Sequence, residues 1–244
     1  GSGHGGEAIL RSLLEDPKSR YLPVGIIDHE PHRWGALIHG VRVMGGATDI
    51  AMAASLHGVE MVLVSLVDLD PVVLREITEA CQKGGVVLAL GYQRRRESQF
   101  RWIKKQIDAG VFGKLVNAEA NISRDRLGKI DLSSWRYQAE GMPGGVMLQI
   151  GVHYVDVLEY LMGPIVAVSG QAAQLVLPGD NPDVASLLLQ HENGALSTVT
   201  ASYASATENY VMNIYGKEAS AFYDLQGGLR FIKRGTEKAE AVPF

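Results

Sequence analysis

The chain opens Gly1-Ser2-Gly3-His4-Gly5-Gly6, runs on through EAILRSLLEDP, and reaches Pro23-Val24-Gly25-Ile26-Ile27-Asp28; the reading of this stretch decides the fold. The first six residues satisfy G-x-G-x-x-G. Ile9, Leu10, Leu13 and Leu14 then recur at helical spacing, Pro17 is placed to stop that helix, and residues 23–27 read as a buried strand ending on Asp28. Glycine at the first two positions lets the backbone turn tightly and approach a pyrophosphate, while a helix N-terminus offers unpaired N–H groups and partial positive charge. A carboxylate closing the next strand can accept hydrogen bonds from ribose hydroxyls. Turn and acid together predict a dinucleotide site built from Gly1, Gly3, His4, Gly6 and Asp28, with NAD favoured over NADP. His29, His32 and Arg33 beside Asp28 leave that preference open, and the histidines, with His39, read most simply as surface residues. The plainer alternative is a glycine-rich tag scar or an ordinary turn. The apolar strand that usually leads into such a turn has no counterpart ahead of Gly1, and the chain closes just after a strand, in Val242-Pro243-Phe244, as a fragment would.

Outward from this stretch the alternation continues. Thr48 is placed to cap a short helix through Leu56, residues 61–67 read as a strand covered on both faces, and Asp70-Pro71 opens a helix with Leu74, Ile77 and Cys81 on one side and Gly84 as its stop. Residues 86–90 form the next strand. Strand–helix alternation predicts an α/β Rossmann-like parallel sheet over residues 1–92. From residue 93 the pattern changes: a helix at 98–108, a strand at 114–123, a helix at 146–162, and four strand-like stretches at 165–176, 184–191, 195–203 and 210–223. Turn signals such as Glu192-Asn193-Gly194 separate them, so residues 93–244 are expected to form an α+β domain with an open antiparallel sheet.

Composition narrows the function classes. A chain of 244 residues with 46% hydrophobic content can bury a core and suits two domains. Its formal net charge of -4, with no basic run beyond Arg94-Arg95-Arg96, makes nucleic acid a poor partner. The single cysteine, Cys81, forms no internal disulfide and offers no zinc cluster, which fits a cytoplasmic setting without a metal. No signal peptide and no run of about 20 apolar residues points to a membrane.

The segment at 146–162, VMLQIGVHYVDVLEYLM, is apolar almost all round, and its polar exceptions are aligned: Gln149, His153, Asp156 and Tyr160 recur at spacings of about four and three, on one narrow stripe. Polar groups on a buried helix must find partners, and a cleft shared with a hydroxylated substrate provides them. An imidazole at His153 can remove a proton from an alcohol as hydride leaves the same carbon, and Asp156 is placed to orient it. The alternative is a core histidine satisfied by Asp156 or a backbone carbonyl. No second His or Cys stands at ligand spacing for a metal.

Several ordered motifs carry a family resemblance: Gly91-Tyr92-Gln93-Arg94-Arg95, Gly110-Val111-Phe112-Gly113-Lys114, Trp135-Arg136, the run from Gly144-Gly145 through Gln149, His153 and Asp156, and Glu192-Asn193-Gly194-Ala195. From about Val86 to Gly235 the chain resembles the Gfo/Idh/MocA oxidoreductases. The resemblance implies an NAD(P)-dependent dehydrogenase or reductase of sugars, cyclitols or related polyols that forms homo-oligomers through its antiparallel sheet. It further implies that His153 is the active-site histidine and that Gln149 takes part in the chemistry. By the same resemblance Arg94 lies near the cofactor, with Tyr92, Trp135 and Arg136 near the substrate. Residues 1 to about 85 instead resemble the dinucleotide-binding domain of polysaccharide-biosynthesis nucleotide-sugar epimerases and dehydratases, in GSGHGGEAILRSLLEDP, YLPVGIIDHEP, IHGVRVMGG and DPVVLREITEACQKGGV. The chain thus reads as a hybrid joined near Gly84-Gly85-Val86.

Three departures bear on activity. The family's Glu-Lys-Pro lysine has no clear counterpart, since Gln82-Lys83-Gly84 ends a helix instead; Gln149 stands where Asp is common; and the closing helix expected after Gly235 is absent. A glutamine can hydrogen-bond a substrate hydroxyl but cannot accept its proton. Two further readings therefore stand beside the oxidoreductase: a non-catalytic dinucleotide or nucleotide-sugar binding module, and a truncated or fused fragment.

Overall fold

A computed structural model of the chain describes residues 4–17, 19–64, 71–90, 92–131 and 133–243. The chain divides into two compact units, Gly1–Gly91 and Tyr92–Phe244.

In the first unit, α1 (His4–Glu15) takes in His4, Gly5 and Gly6 of the glycine-rich sequence as its first turn. Strand β1 (Ile26–Ile27) is shorter than the expected 23–27 and runs parallel to β3 (Val41–Gly45), which also pairs antiparallel with β2 (Leu37–Ile38). Strand β3 is missing from the sequence reading, although Val41, Val43 and Gly45 are buried in alternation with Arg42 and Met44. Thr48 does not cap the next helix. The chain enters α2 (Ile50–His57) through a 3-10 turn at Ala47–Asp49, where the Asp49 carboxylate accepts the Gly46 N–H at 2.9 Å. Strands β4 (Met61–Val64) and β5 (Val87–Leu90) form a separate parallel pair, connected through α3 (Pro71–Gly84). The expected capping residue Asp70 lies outside the described residues. The unit's core gathers Ala47, Ile50, Val64, Ile77, Ala80 and Cys81. Strand β4 is not covered on both faces: Met61 and Leu63 are 37% and 45% exposed, because the pair packs its core on one side only.

The second unit is built on one eight-stranded sheet. Helix α4 (Ser98–Asp108) occupies the predicted residues and buries Gln99, Phe100 and Ile103 on one face. It leads through Phe112 into β6 (Leu115–Asp125), whose Ala118, Ala120 and Ile122 point inward. After α5 (Val152–Met162) come β7 (Ile165–Ala173), β8 (Val184–His191), β9 (Leu196–Ser202), β10 (Ala204–Gly216), β11 (Ala219–Asp224), β12 (Gly228–Lys233) and β13 (Glu240–Ala241). The strand order is β13-β12-β11-β10-β6-β9-β8-β7. All neighbours are antiparallel except β6 and β9, which run parallel with Asn117 opposite Leu196, so the sheet is mixed. The expected stretch at 210–223 is two strands, β10 and β11, joined by a tight turn at Lys217-Glu218. Small inward residues such as Ala118, Ala120, Ala201 and Ala221 let the large side chains of α4 and α5, Phe100, Tyr154, Leu158 and Met162, settle on the sheet. No helix among the described residues is long and apolar enough to cross a membrane.

Candidate active site

The expected helix at 146–162 is present with a widened entrance: Met147–Gly151 form a π turn ahead of α5. Two glycines make this possible. Gly145 sits at φ 50, and a Cβ there would lie 2.3 Å from the Pro182 carbonyl oxygen, while one on Gly151 would lie 2.2 Å from Met147 Sδ. The Val146 N–H donates to that same Pro182 carbonyl at 3.1 Å, tying the helix entrance to the loop ahead of β8. π turns of this kind recur at functional sites because they re-aim side chains on an otherwise regular helix.

His153 follows directly. Its Nδ1 is buried and has no hydrogen-bond partner, so Nε2 is the nitrogen left to meet a ligand. The Tyr92 ring stands edge-on to the imidazole, centroids 6.2 Å apart at 81°. Burial, then the charge of Arg94, lower the His153 pKa below the ordinary imidazole value, against an upward pull from Asp156. Tyr92 is shifted the other way, first by burial and then by the Asp156 charge, so its phenol keeps its proton.

Asp156 does not orient His153 through a hydrogen bond. Its carboxylate, with the side chain 5% exposed, is held by the Arg95 fork, Nε donating to Oδ2 at 2.8 Å and Nη2 to Oδ1. That pairing raises the Arg95 pKa, chiefly through the hydrogen bond to Asp156. The guanidinium also lies 5.5 Å over the Tyr160 ring, the last polar member of the stripe. Arg94 donates to Glu97 at 3.2 Å and stacks 4.9 Å over Tyr210 and 5.6 Å over Tyr154. Gln149 accepts a hydrogen bond from the Tyr203 hydroxyl at 2.6 Å, and Tyr203 packs edge-on against Tyr137. Gln149, Tyr203 and Tyr137 line a small cleft with Asn181 and Asp183, and His153 and Asp156 are not among its lining residues.

The second unit therefore brings Tyr92, Arg94, Arg95, His153 and Asp156 together. Trp135 stands on a 3-10 turn, Trp135–Tyr137, and nothing is described of the Arg136 side chain. In the first unit Asp28 closes β1, 2% exposed, with Oδ1 accepting the Glu30 N–H at 2.9 Å. Gly6 lies in α1, the His4 side chain is not described, and Gly1 and Gly3 lie outside the described residues. Sequence reasoning gave no role to Arg95, which it named in a short basic run and in the Gly91-to-Arg95 motif, and it missed Tyr203. The signal for Arg95 is weak, since its partner stands sixty-one positions away.

A profile of the GFO/IDH/MocA C-terminal domain matches residues 100–222. The chain is 22% identical over 242 residues to levoglucosan dehydrogenase of Pseudarthrobacter phenanthrenivorans, covering 88% of this chain and 58% of that protein. It is 26% identical over 181 residues to scyllo-inositol 2-dehydrogenase (NAD(+)) of Bacillus subtilis, covering 71% of this chain and 51% of that protein. The chain thus spans between half and three fifths of the length of these relatives. Among solved structures, levoglucosan dehydrogenase in complex with NADH and levoglucosan superposes with a TM-score of 0.68 at 18% identity, over 95% of this chain and 63% of that one, a likeness of fold. With the profile running from Phe100 in α4, through the helix that carries His153, to Phe222 in β11, the chain belongs to the Gfo/Idh/MocA family.

Proposed function

We propose that this chain belongs to an NAD(P)-dependent oxidoreductase acting on a sugar, cyclitol or related polyol, in which His153 serves as general base. The observation that carries the reading is a half-buried imidazole with a buried, unpartnered Nδ1 and a pKa below the ordinary value, so that at about pH 7 the ring is neutral and Nε2 can take a proton. Support also comes from the relatives, whose names are those of dehydrogenases of an anhydrosugar and a cyclitol.

The residues of the first unit fit a dinucleotide by their chemistry: Asp28 ends a parallel strand as an acceptor for ribose hydroxyls, and the glycine-rich sequence from Gly1 to Gly6 runs into the first turn of α1. NAD is favoured because the carboxylate of Asp28 repels a 2′-phosphate, with Arg33 shared between Glu30 at 2.7 Å and Asp28 at 3.9 Å. When bound, the nicotinamide supplies the acceptor or donor of hydride. The chain's own part is to hold and deprotonate the substrate. His153 Nε2 accepts the proton of the reacting hydroxyl; Tyr92, kept protonated by burial, donates a hydrogen bond; Gln149 can hydrogen-bond a neighbouring hydroxyl without taking its proton. Trp135, Arg136 and Arg94 complete the surroundings in this reading, and subunits associate through the open face of the large sheet, where Leu188 and Leu196 are 44% and 46% exposed.

The test is His153→Asn. Turnover on a polyol panel should fall by about 10²–10⁴-fold while NADH affinity, read by fluorescence, stays nearly constant. Unchanged turnover removes His153 from the chemistry, and NADH binding without turnover of any polyol by the unsubstituted chain favours a binding module.

A further inference from the structure

We propose that Arg95 is a positioning residue that governs proton uptake at His153 by holding the Asp156 carboxylate away from the imidazole. The inference rests on His153 being the proton-handling group. Asp156 stands three residues beyond His153 on α5, so the two side chains share one side of the helix. A buried carboxylate at that spacing has a strong incentive to pair with a nearby imidazolium, and such pairing would raise the imidazole pKa. Here both carboxylate oxygens are instead occupied by the planar fork of Arg95, which is 40% exposed while Asp156 is nearly sealed. Nδ1 of His153 is left buried without an acceptor, so no hydrogen bond on that side stabilises the imidazolium.

The groups facing the imidazole all bear on this balance. The edge of Tyr92, from the segment after β5, covers one side of the ring. Arg94, on the 3-10 turn at Gln93–Arg96, adds a positive charge that opposes imidazolium. Asp156, on the same helix, favours imidazolium, and Arg95 neutralises it. Two adjacent arginines thus act on one histidine by different routes: Arg94 through its own charge, Arg95 through its hold on the carboxylate. The outcome is a base whose pKa lies below the ordinary imidazole value.

Titration of the ¹³C-labelled histidine imidazoles by NMR, with His153 identified by its loss in His153→Asn, tests this independently of turnover. Asp156→Asn leaves Arg95 uncompensated and should lower the His153 midpoint. Arg95→Gln frees the carboxylate and should raise it by roughly one pH unit or more. The double variant should return it close to its original position, and it keeps the proposal testable where Arg95→Gln alone fails to fold. A midpoint that is unmoved or raised in Asp156→Asn, or a double variant that keeps the displacement of either single one, overturns the inference. The shifts can appear in a chain that turns over no polyol, in which case the inference stands and the oxidoreductase reading falls.

Discussion

Tyr154 lies beside His153 on α5, fully buried, edge-on to Phe100 with centroids 6.1 Å apart, and its hydroxyl has no hydrogen-bond partner. Burial drives its pKa far upward, so the phenol is neutral at every ordinary pH. An orphaned hydroxyl in a core costs free energy, so Tyr154→Phe should be neutral or stabilising, whereas Tyr154→Ala should cost about 3–5 kcal/mol through the cavity it leaves. Urea melts of the two variants check this; a large loss in Tyr154→Phe would mean that the hydroxyl has a partner. Two other residues set the acid limits of stability. Asp183 is buried and its burial opposes its charge, yet the backbone N–H groups of Leu177, Val176 and Leu175 outweigh that and lower its pKa. Its contribution is complete above the unfolded-chain value of 3.8 and is lost as pH falls through its lower folded value. His153, also depressed, takes its proton more readily in the unfolded chain, so stability declines as pH drops below 6.5 and levels off beneath the folded midpoint. In His153→Asn, melting temperature should therefore fall less across that window than in the unsubstituted chain.

At the scale of elements, the entrance to α5 is the most demanding piece of backbone. Gly145→Ala must place a methyl against the Pro182 carbonyl at a positive φ, so it should destabilise by roughly 1–3 kcal/mol or more and open the π turn. Loss of melting temperature together with a shifted His153 resonance is the expected signature; stability equal to the parent's would mean that the turn relaxes freely. This entrance also marks the limit of what the sequence discloses. Residues 98–108 and 184–191 are read correctly because one has a clean apolar stripe and the other strong strand composition closed by Glu192-Asn193-Gly194, where Gly194 adopts φ 85. The stripe on α5 is legible too, down to His153. The π turn is not, because it follows from contacts with Pro182 and Ala201, which no local period records. Asp156 is misjudged as the partner of His153 for the same reason: helical spacing makes neighbours of them, and only the tertiary approach of Arg95 decides where the carboxylate turns. Strands β10 and β11 run together in the reading because Gly216, just ahead of Lys217-Glu218, is the single turn residue between two stretches of strand composition.

For the whole molecule, the distribution of buried side chains is uneven. Among the described residues the first unit gathers six buried hydrophobic residues into its core cluster, while the second joins both helices to the inner face of an eight-stranded sheet. Hydrogen exchange should therefore be fast in β4 and β5 and slowest in β6, β9 and β10, read by mass spectrometry of peptides; equal protection would show that the small cluster is stronger than its size implies. The lone parallel pairing in the large sheet reaches further still. Antiparallel neighbours can zip through short hairpins, but β6 must wait for β9 across a connection that contains the helix bearing His153. Closing so long a loop is entropically slow, and it ties formation of the pocket around His153 to a long-range step of folding. A newly made chain would then acquire its imidazole pocket late and all at once, with its most aggregation-prone interval falling before that moment.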